Sequence, residues 1–232
     1  MPGQNRVLKQ FALMEFPYEV RALKASDVAH VASLHALLFP DYFLAHLGHG
    51  FLRRFYYHFL DEQGIAFIAL DGERYVGFVA GTPEPEHFYN EFYRIHFIPL
   101  TFITIFHFLA DSLVRKEIYK RAGRIRAAIN TVILKKRKAQ ASKPFSRAAI
   151  AKNEIPAHLL SIAVLADYRG KGIADELVRQ FCARLYEEGK TKVMLTVQSQ
   201  NEHAIQFYEK TGWRVVSKNG ARVQFIRSTN PS

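Results

Sequence analysis

The residues best suited to chemistry are Arg169-Gly170-Lys171-Gly172-Ile173-Ala174, which stand between an apolar run and an amphipathic one. A strand that enters a helix through a glycine-rich turn aims several unpaired backbone N–H groups at one point. The positive end of the helix dipole lies at the same place. Glycines there let a phosphate reach the backbone without meeting a β-carbon, and Arg169 and Lys171 add charge. The chemistry implied is binding of a diphosphate. Three readings compete. A dinucleotide fingerprint needs a third glycine where Asp175 stands, and an early place in a βαβ unit. A P-loop needs Gly-Lys-Ser/Thr at its end, which is absent. The third reading is a basic surface turn that binds nothing.

The elements that must position this turn follow from pattern. Leu159–Leu165 is a nearly continuous apolar run, as expected of a buried central strand. Ile173, Ala174, Leu177, Val178, Phe181, Cys182 and Leu185 recur at helical spacing, and Gly189 closes that helix. Val193, Leu195 and Val197 alternate as a strand, Asn201 caps a short helix ending at Gly212, and Trp213–Lys218 and Ala221–Arg227 flank the hairpin signal Asn219-Gly220. Upstream, Tyr18–Leu23 reads as a strand, and Ser26-Asp27 as the cap of a helix carrying Val28, Val31, Ala32, Leu34, Leu37 and Leu38. A second helical stretch carries Leu44, Leu47, Phe51, Phe55 and Phe59, with breaks expected at Gly48 and Gly50. Ile65–Leu70 and Arg74–Gly81 form a hairpin around Asp71-Gly72.

Composition excludes several classes. The chain has 232 residues, 49% hydrophobic and 23% charged, which is a globular mix rather than a disordered or fibrous one. The single cysteine, Cys182, rules out an internal disulfide and a cysteine zinc cluster. Its place in the apolar stripe of the helix favours burial over nucleophilic catalysis. His46 and His49 have a metal-compatible spacing but no third ligand, so no metal is expected. The first twenty residues lack a basic start followed by an apolar run, so the expected compartment is the cytoplasm. Net charge is +11, yet Arg115–Lys152 alone holds thirteen Lys/Arg and one acid, for +12, and the rest sums to −1. Basicity confined to one segment weakens a nucleic-acid-binding reading.

Two stretches carry a family resemblance. Ile162-Ala163-Val164-Leu165-Ala166-Asp167-Tyr168-Arg169-Gly170-Lys171-Gly172-Ile173-Ala174 resembles the acetyl-CoA motif of the GNAT family of N-acetyltransferases, Gln/Arg-x-x-Gly-x-Gly/Ala, through Arg169, Gly172 and Ala174. Asn201-Glu202-His203-Ala204-Ile205-Gln206-Phe207-Tyr208-Glu209-Lys210-Thr211-Gly212-Trp213 resembles that family's second motif. The resemblance is close over 158–227 and loose over 18–86. It implies an α/β fold with a central mixed sheet flanked by helices, in one domain spanning 1–232, with a tail at 1–16. It further implies that Ala163, Val164, Arg169, Gly170, Lys171, Gly172, Ile173, Ala174 and Asn201 contact acetyl-CoA. The Val164 N–H would polarise the thioester carbonyl, and Tyr208 would act as general acid on the departing thiolate. A core-packing role competes for Tyr208 and a plain helix cap for Asn201. For the base, Glu154, His158 and Ser161 lie on or before the central strand, and a positioned water competes with all three.

Residues 87–153 fit no part of this pattern and read as a helical insertion, apolar over Ile95–Ala110 and basic thereafter. Sixteen uncharged residues interrupted by Pro99 fall short of a membrane span. An apolar helix beside a basic flank suits an anionic membrane surface through residues 95–152. A helical cover on the core with a solvated basic face competes, as does a nucleic-acid or ribosome contact. The expected activity is transfer of acetyl from acetyl-CoA to a primary amine by direct attack in a ternary complex. An acidic or lipid-linked amino sugar would suit the insertion. The rivals are a protein N-terminus or lysine as acceptor, and a non-catalytic CoA-binding membrane adaptor; a homodimer is compatible with each.

Overall fold

The computed structural model describes residues 17–61, 64–92 and 155–230. The expected tail, most of the insertion and Glu154 therefore lie outside the described residues. Among the described residues seven strands form one sheet in the order β1-β2-β3-β4-β5-β7-β6. They are β1 (Glu19–Ala22), β2 (Ile65–Asp71), β3 (Arg74–Thr82), β4 (Ala157–Val164), β5 (Lys192–Gln198), β6 (Arg214–Asn219) and β7 (Arg222–Ser228). Every neighbouring pair is antiparallel except β4 and β5, which run parallel, so the sheet is mixed. Helices α1 (Val28–Leu38), α2 (Phe43–His46) and α3 (His49–Tyr57) precede β2; α4 (Ile173–Glu187) joins β4 to β5, and α5 (Glu202–Lys210) joins β5 to β6.

Two apolar layers cover the two faces. On one, Ile173, Leu177, Phe181 and Leu185 of α4 pack with Val79, Leu159, Val164, Leu195 and Phe225 of the sheet. Gly77 and Gly81 permit this approach. A β-carbon at Gly81 would run into the Phe181 ring and the His158 carbonyl. On the other face, Val31, Leu34, Phe51, Leu52, Phe55 and Tyr56 pack with Ile68, Phe78 and Ala80. Residues 85–92, the start of the expected insertion, are helical and bury Phe88 and Phe92 against Phe55.

Both hairpin signals hold, with the loop one residue later than expected. Asp71 pairs with Arg74 and Asn219 with Arg222, so Gly72 and Gly220 are the first loop residues. Each has a positive φ, 57° and 51°, while among the described residues no non-glycine residue does. That is the requirement of a turn with glycine in its first central position. Gly48, with φ 82°, separates α2 from α3, whereas Gly50 sits inside α3 and breaks nothing.

The expected cap of α1 is corrected. Asp27 makes no side-chain bond to the first turn of α1. Its carboxylate, 1% exposed, faces back and accepts from Arg21 at 2.7 and 3.0 Å, the Tyr75 hydroxyl at 2.7 Å and the Lys24 N–H at 2.8 Å. An Asp beside a helix start serves either purpose in sequence, and the Arg21 partner decides it here. Arg21 holds the Asp27 pKa at about 2, against 3.8 for a free Asp, chiefly through its hydrogen bonds. A depressed carboxyl stabilises the fold above the unfolded pKa, and that stability fades as pH falls from 3.8 toward 2. Solvent reaches the partly exposed Arg21, so screening trims the contribution to about 1–2 kcal/mol. Asp27→Asn should therefore lose that much in denaturant unfolding at pH 7, and the gap to the parent should close near pH 2.

Candidate functional site

The site begins where the central strand loses a partner. β4 pairs with β5 only through Ala157↔Val193 and His158↔Met194. Beyond them β5 continues its ladder with β7 as far as Gln198, and β4 is left with a free edge. This is why β4 is only partly buried from Leu160 to Ala163, although its sequence reads as a fully buried strand.

Hydrogen-bond parity shows what faces the opening. Leu165 donates its N–H to the Val76 carbonyl at 2.9 Å, toward β3. Alternation along the strand then turns the Ala163 N–H toward β3 as well, and those of Val164 and Ile162 away from it, into the opening. Ile162, not singled out by sequence, thus joins Val164. The Val164 carbonyl faces the same way and accepts from Arg169 Nε at 3.2 Å, which fixes Arg169 at the mouth.

After β4 the chain makes a tight turn, Ala166–Tyr168, and enters the glycine-rich segment. Gly170 and Gly172 have φ of 75° and 80°, a region that glycine enters without strain. Gly172 starts α4 with no side-chain cap, and the Glu176 N–H donates to the Gly172 carbonyl at 3.0 Å as the helical ladder begins. The N–H groups of Ile173, Ala174 and Asp175 precede it at the positive pole of a 15-residue helix. Tyr168 anchors the turn from beneath. Its hydroxyl donates to Asp71 at 2.7 Å, and Lys171 Nζ lies 4.7 Å from its ring centroid. These groups fit a diphosphate.

On α5, Asn201 is the helix cap, its Oδ1 accepting the Ala204 N–H at 3.0 Å. Tyr208 is held in the core, 5% exposed, with ring centroids of Trp213 and Phe225 at 5.4 and 5.6 Å, while Phe207 is the half-buried member of the pair. Burial, with a smaller push from the Tyr42 phenol, raises the Tyr208 pKa far above 10. The group stays protonated throughout the physiological range.

The opposite face of β4 carries the polar groups. In the β3–β4 ladder Ala80 pairs with Ser161 and Gly81 with Leu159, so Leu160 is an extra, bulged residue. The bulge leaves Leu160 and Ser161 on the α1–α3 face, and His158 shares that face by alternation. His158 is half-buried, and burial lowers its pKa from 6.5. Ser161 accepts from the Tyr56 hydroxyl at 3.4 Å, and Tyr56 in turn lies 2.6 Å from His35 Nδ1. Sequence reasoning named neither Tyr56 nor His35, and their separation from Ser161 in the chain left no signal. Among the described residues no group of three His, Cys, Asp or Glu is placed to hold a metal, and His49 Nε2 is instead 3.0 Å from the Ser33 hydroxyl. Cys182 is buried, which pushes its thiol up to about 11.

Residues 141–213 match the family model described as "Acetyltransferase (GNAT) family". A curated relative, mycothiol acetyltransferase of Corynebacterium aurimucosum, is 31% identical over 58 residues, 25% of this chain and 19% of that protein. The chain thus spans about a fifth of the length of the curated relatives it matches. Among solved structures, the PaiA N-acetyltransferase of Thermoplasma acidophilum in complex with coenzyme A aligns with a TM-score of 0.54 at 13% identity, covering 91% of this chain and 98% of that one. The ribosomal-protein-S18-alanine N-acetyltransferase of Escherichia coli aligns at 0.51 and 11%, covering 93% and 96%. At these identities the structures bear on fold.

Proposed function

Because the chain belongs to the GNAT acetyltransferase family, we propose that it moves an acetyl group from acetyl-CoA to a primary amine by direct attack in a ternary complex. One observation carries the reading: a central strand with a free edge runs directly into a doubly glycine-bent turn and an uncapped helix N-terminus. Arg169, Lys171 and the backbone N–H groups from Gly170 to Ala174 hold the diphosphate. The pantetheine arm lies along the free edge of β4, with Asn201 on α5 across the opening. The Val164 N–H stabilises the oxyanion that forms when the amine attacks the thioester carbonyl, and the Ile162 N–H, about 6.6 Å back along the strand, pairs with the bound donor elsewhere on the edge. Tyr208, protonated and buried, gives its proton to the departing thiolate.

The amine must attack as the neutral species. A lysine-type amine of pKa ~10.4 is only about 0.04% neutral at pH 7, so a group that accepts its proton helps. His158, six residues back along β4 from Val164, is the strand residue that suits this, acting through a chain of waters. Burial favours its neutral form, and it sits where β4 and β5 part, on the face away from α4. Because its pKa is lowered, protonation abolishes the base only below 6.5. The kcat/KM of the parent should show an acid limb below pH 6.5, and His158→Gln should remove that limb while lowering the plateau about 100-fold.

The acceptor is best sought with a panel holding glucosamine, cyclohexylamine, an alanine-led peptide, a lysine peptide and spermidine, with acetylated product read by mass. A second strand of the reading concerns residues 95–152. Within them Arg115–Lys152 carries +12 against −1 for everything outside that stretch, which favours contact with an anionic membrane face or an acidic acceptor. Among the described residues no helix is long and apolar enough to cross a membrane. Replacing Lys135, Lys136, Arg137 and Lys138 with Gln should weaken binding to anionic vesicles, most at low salt, and leave acetyl-CoA affinity unchanged. Indifference of the parent protein to such vesicles would end the membrane version.

A further inference from the structure

His35 is a core residue, 4% exposed, with ring neighbours Phe39, Tyr56 and Phe78. Its Nδ1 lies 2.6 Å from the Tyr56 hydroxyl, while its Nε2 is buried with no hydrogen-bond partner. Burial pushes the imidazole down to about 4, so it is neutral and carries a single N–H. A proton on Nε2 would be an orphaned buried donor, a rare and costly arrangement; a proton on Nδ1 leaves only a lone pair unmatched. The favoured tautomer therefore donates from Nδ1 to the Tyr56 oxygen. Tyr56, with no exposure, then directs its own O–H to Ser161 Oγ at 3.4 Å. Ser161 accepts that bond, and among the described residues it has no other partner. Its own proton is left to point onward.

We propose that His35 and Tyr56 are positioning residues which hold the Ser161 hydroxyl as a hydrogen-bond donor on the acceptor side of the β4–β5 opening, selecting amines with an oxygen beside the nitrogen. This rests on the acetyl-transfer reading. That reading places the donor against the N-terminus of α4 on one face of the sheet, and Ser161 lies on the other, beyond the Leu160 bulge. An amine arriving there meets a donor whose direction is set from the core. An acceptor with an adjacent hydroxyl or carbonyl oxygen satisfies that donor. A plain alkylamine displaces its water and leaves it unpaired, and such a site discriminates against the analogue lacking the oxygen.

The probes are glucosamine and cyclohexylamine, rings of equal size with and without oxygens, compared per unit of neutral amine. The parent should favour glucosamine at least tenfold in kcat/KM. Ser161→Ala and Tyr56→Phe should each erase most of that preference through KM for the amine, without changing KM for acetyl-CoA, and the double variant should be no worse than either single. Preference retained in both variants, or losses that add, would overturn the proposal. A second arm needs no acceptor: nitrogen NMR of the free protein should find His35 neutral, with its proton on Nδ1, and a proton on Nε2 would equally overturn it. A parent that binds acetyl-CoA but acetylates no amine in the panel would contradict the acetyl-transfer reading instead, while the NMR arm still decides the His35 tautomer.

Discussion

Gly172→Asp should abolish acetyl-CoA binding, read as complete loss of the thermal shift that acetyl-CoA gives the parent. Two effects combine. The new carboxylate would sit at the N-terminus of α4, where the Ile173, Ala174 and Asp175 N–H groups have no intrahelical partner. It would cap those donors itself, as Asp does at helix starts, and present negative charge to an anion. The backbone cost is smaller: φ of 80° at this position is the left-handed region, which Asp enters at about 1 kcal/mol. The variant should therefore fold, with an unligated melting temperature close to that of the parent, and fail only in binding. Gly170→Ala tests the same cradle more gently. Its β-carbon meets nothing within 4 Å, so backbone strain at φ 75° is the only penalty and binding should weaken rather than vanish. A Gly172→Asp protein that still binds acetyl-CoA at parental strength would move the diphosphate site elsewhere.

Tyr208→Phe should lower kcat about 100-fold while leaving acetyl-CoA affinity nearly unchanged. The ring supplies the packing against Trp213 and Phe225, and phenylalanine keeps it. Only the hydroxyl is lost. Its raised pKa means that it loses no proton to solvent below pH 10, so the parent should show no alkaline limb from this group before that point. Equal loss of turnover, acetyl-CoA affinity and stability would assign Tyr208 to the core alone.

Much of this was legible in the sequence, for identifiable reasons. The turn at Arg169–Ala174 and the helix after it are local features, written in glycine placement and a 3.6-residue period, and both stand where expected. The hairpins were legible for the same reason, although the pairing of Asp71 with Arg74 places the glycine first in its loop. The parting of β4 from β5 was not legible. A strand's own residues record how apolar its surroundings are, but not where a neighbour diverges, so a continuous apolar run read as full burial. The sequence left a core-packing role competing for Tyr208, and the structure packs its ring on Trp213 and Phe225, a relation set by tertiary contact rather than by local pattern. The Ser161–Tyr56 contact joins residues 105 apart, one on α3 and one on β4, a relation with no local signature. Asp27 was misread because helix capping and ion pairing draw on the same residue type.

The most direct test of the central claim is a titration of the protein with acetyl-CoA followed through its backbone amide resonances. Acetyl-CoA should occupy one saturating site whose largest shifts fall on Gly170–Ala174, Val164 and Ile162, with Ala163, whose N–H is turned to β3, moving less. Saturable binding with its shifts confined to other surfaces, or no binding at all, would contradict it.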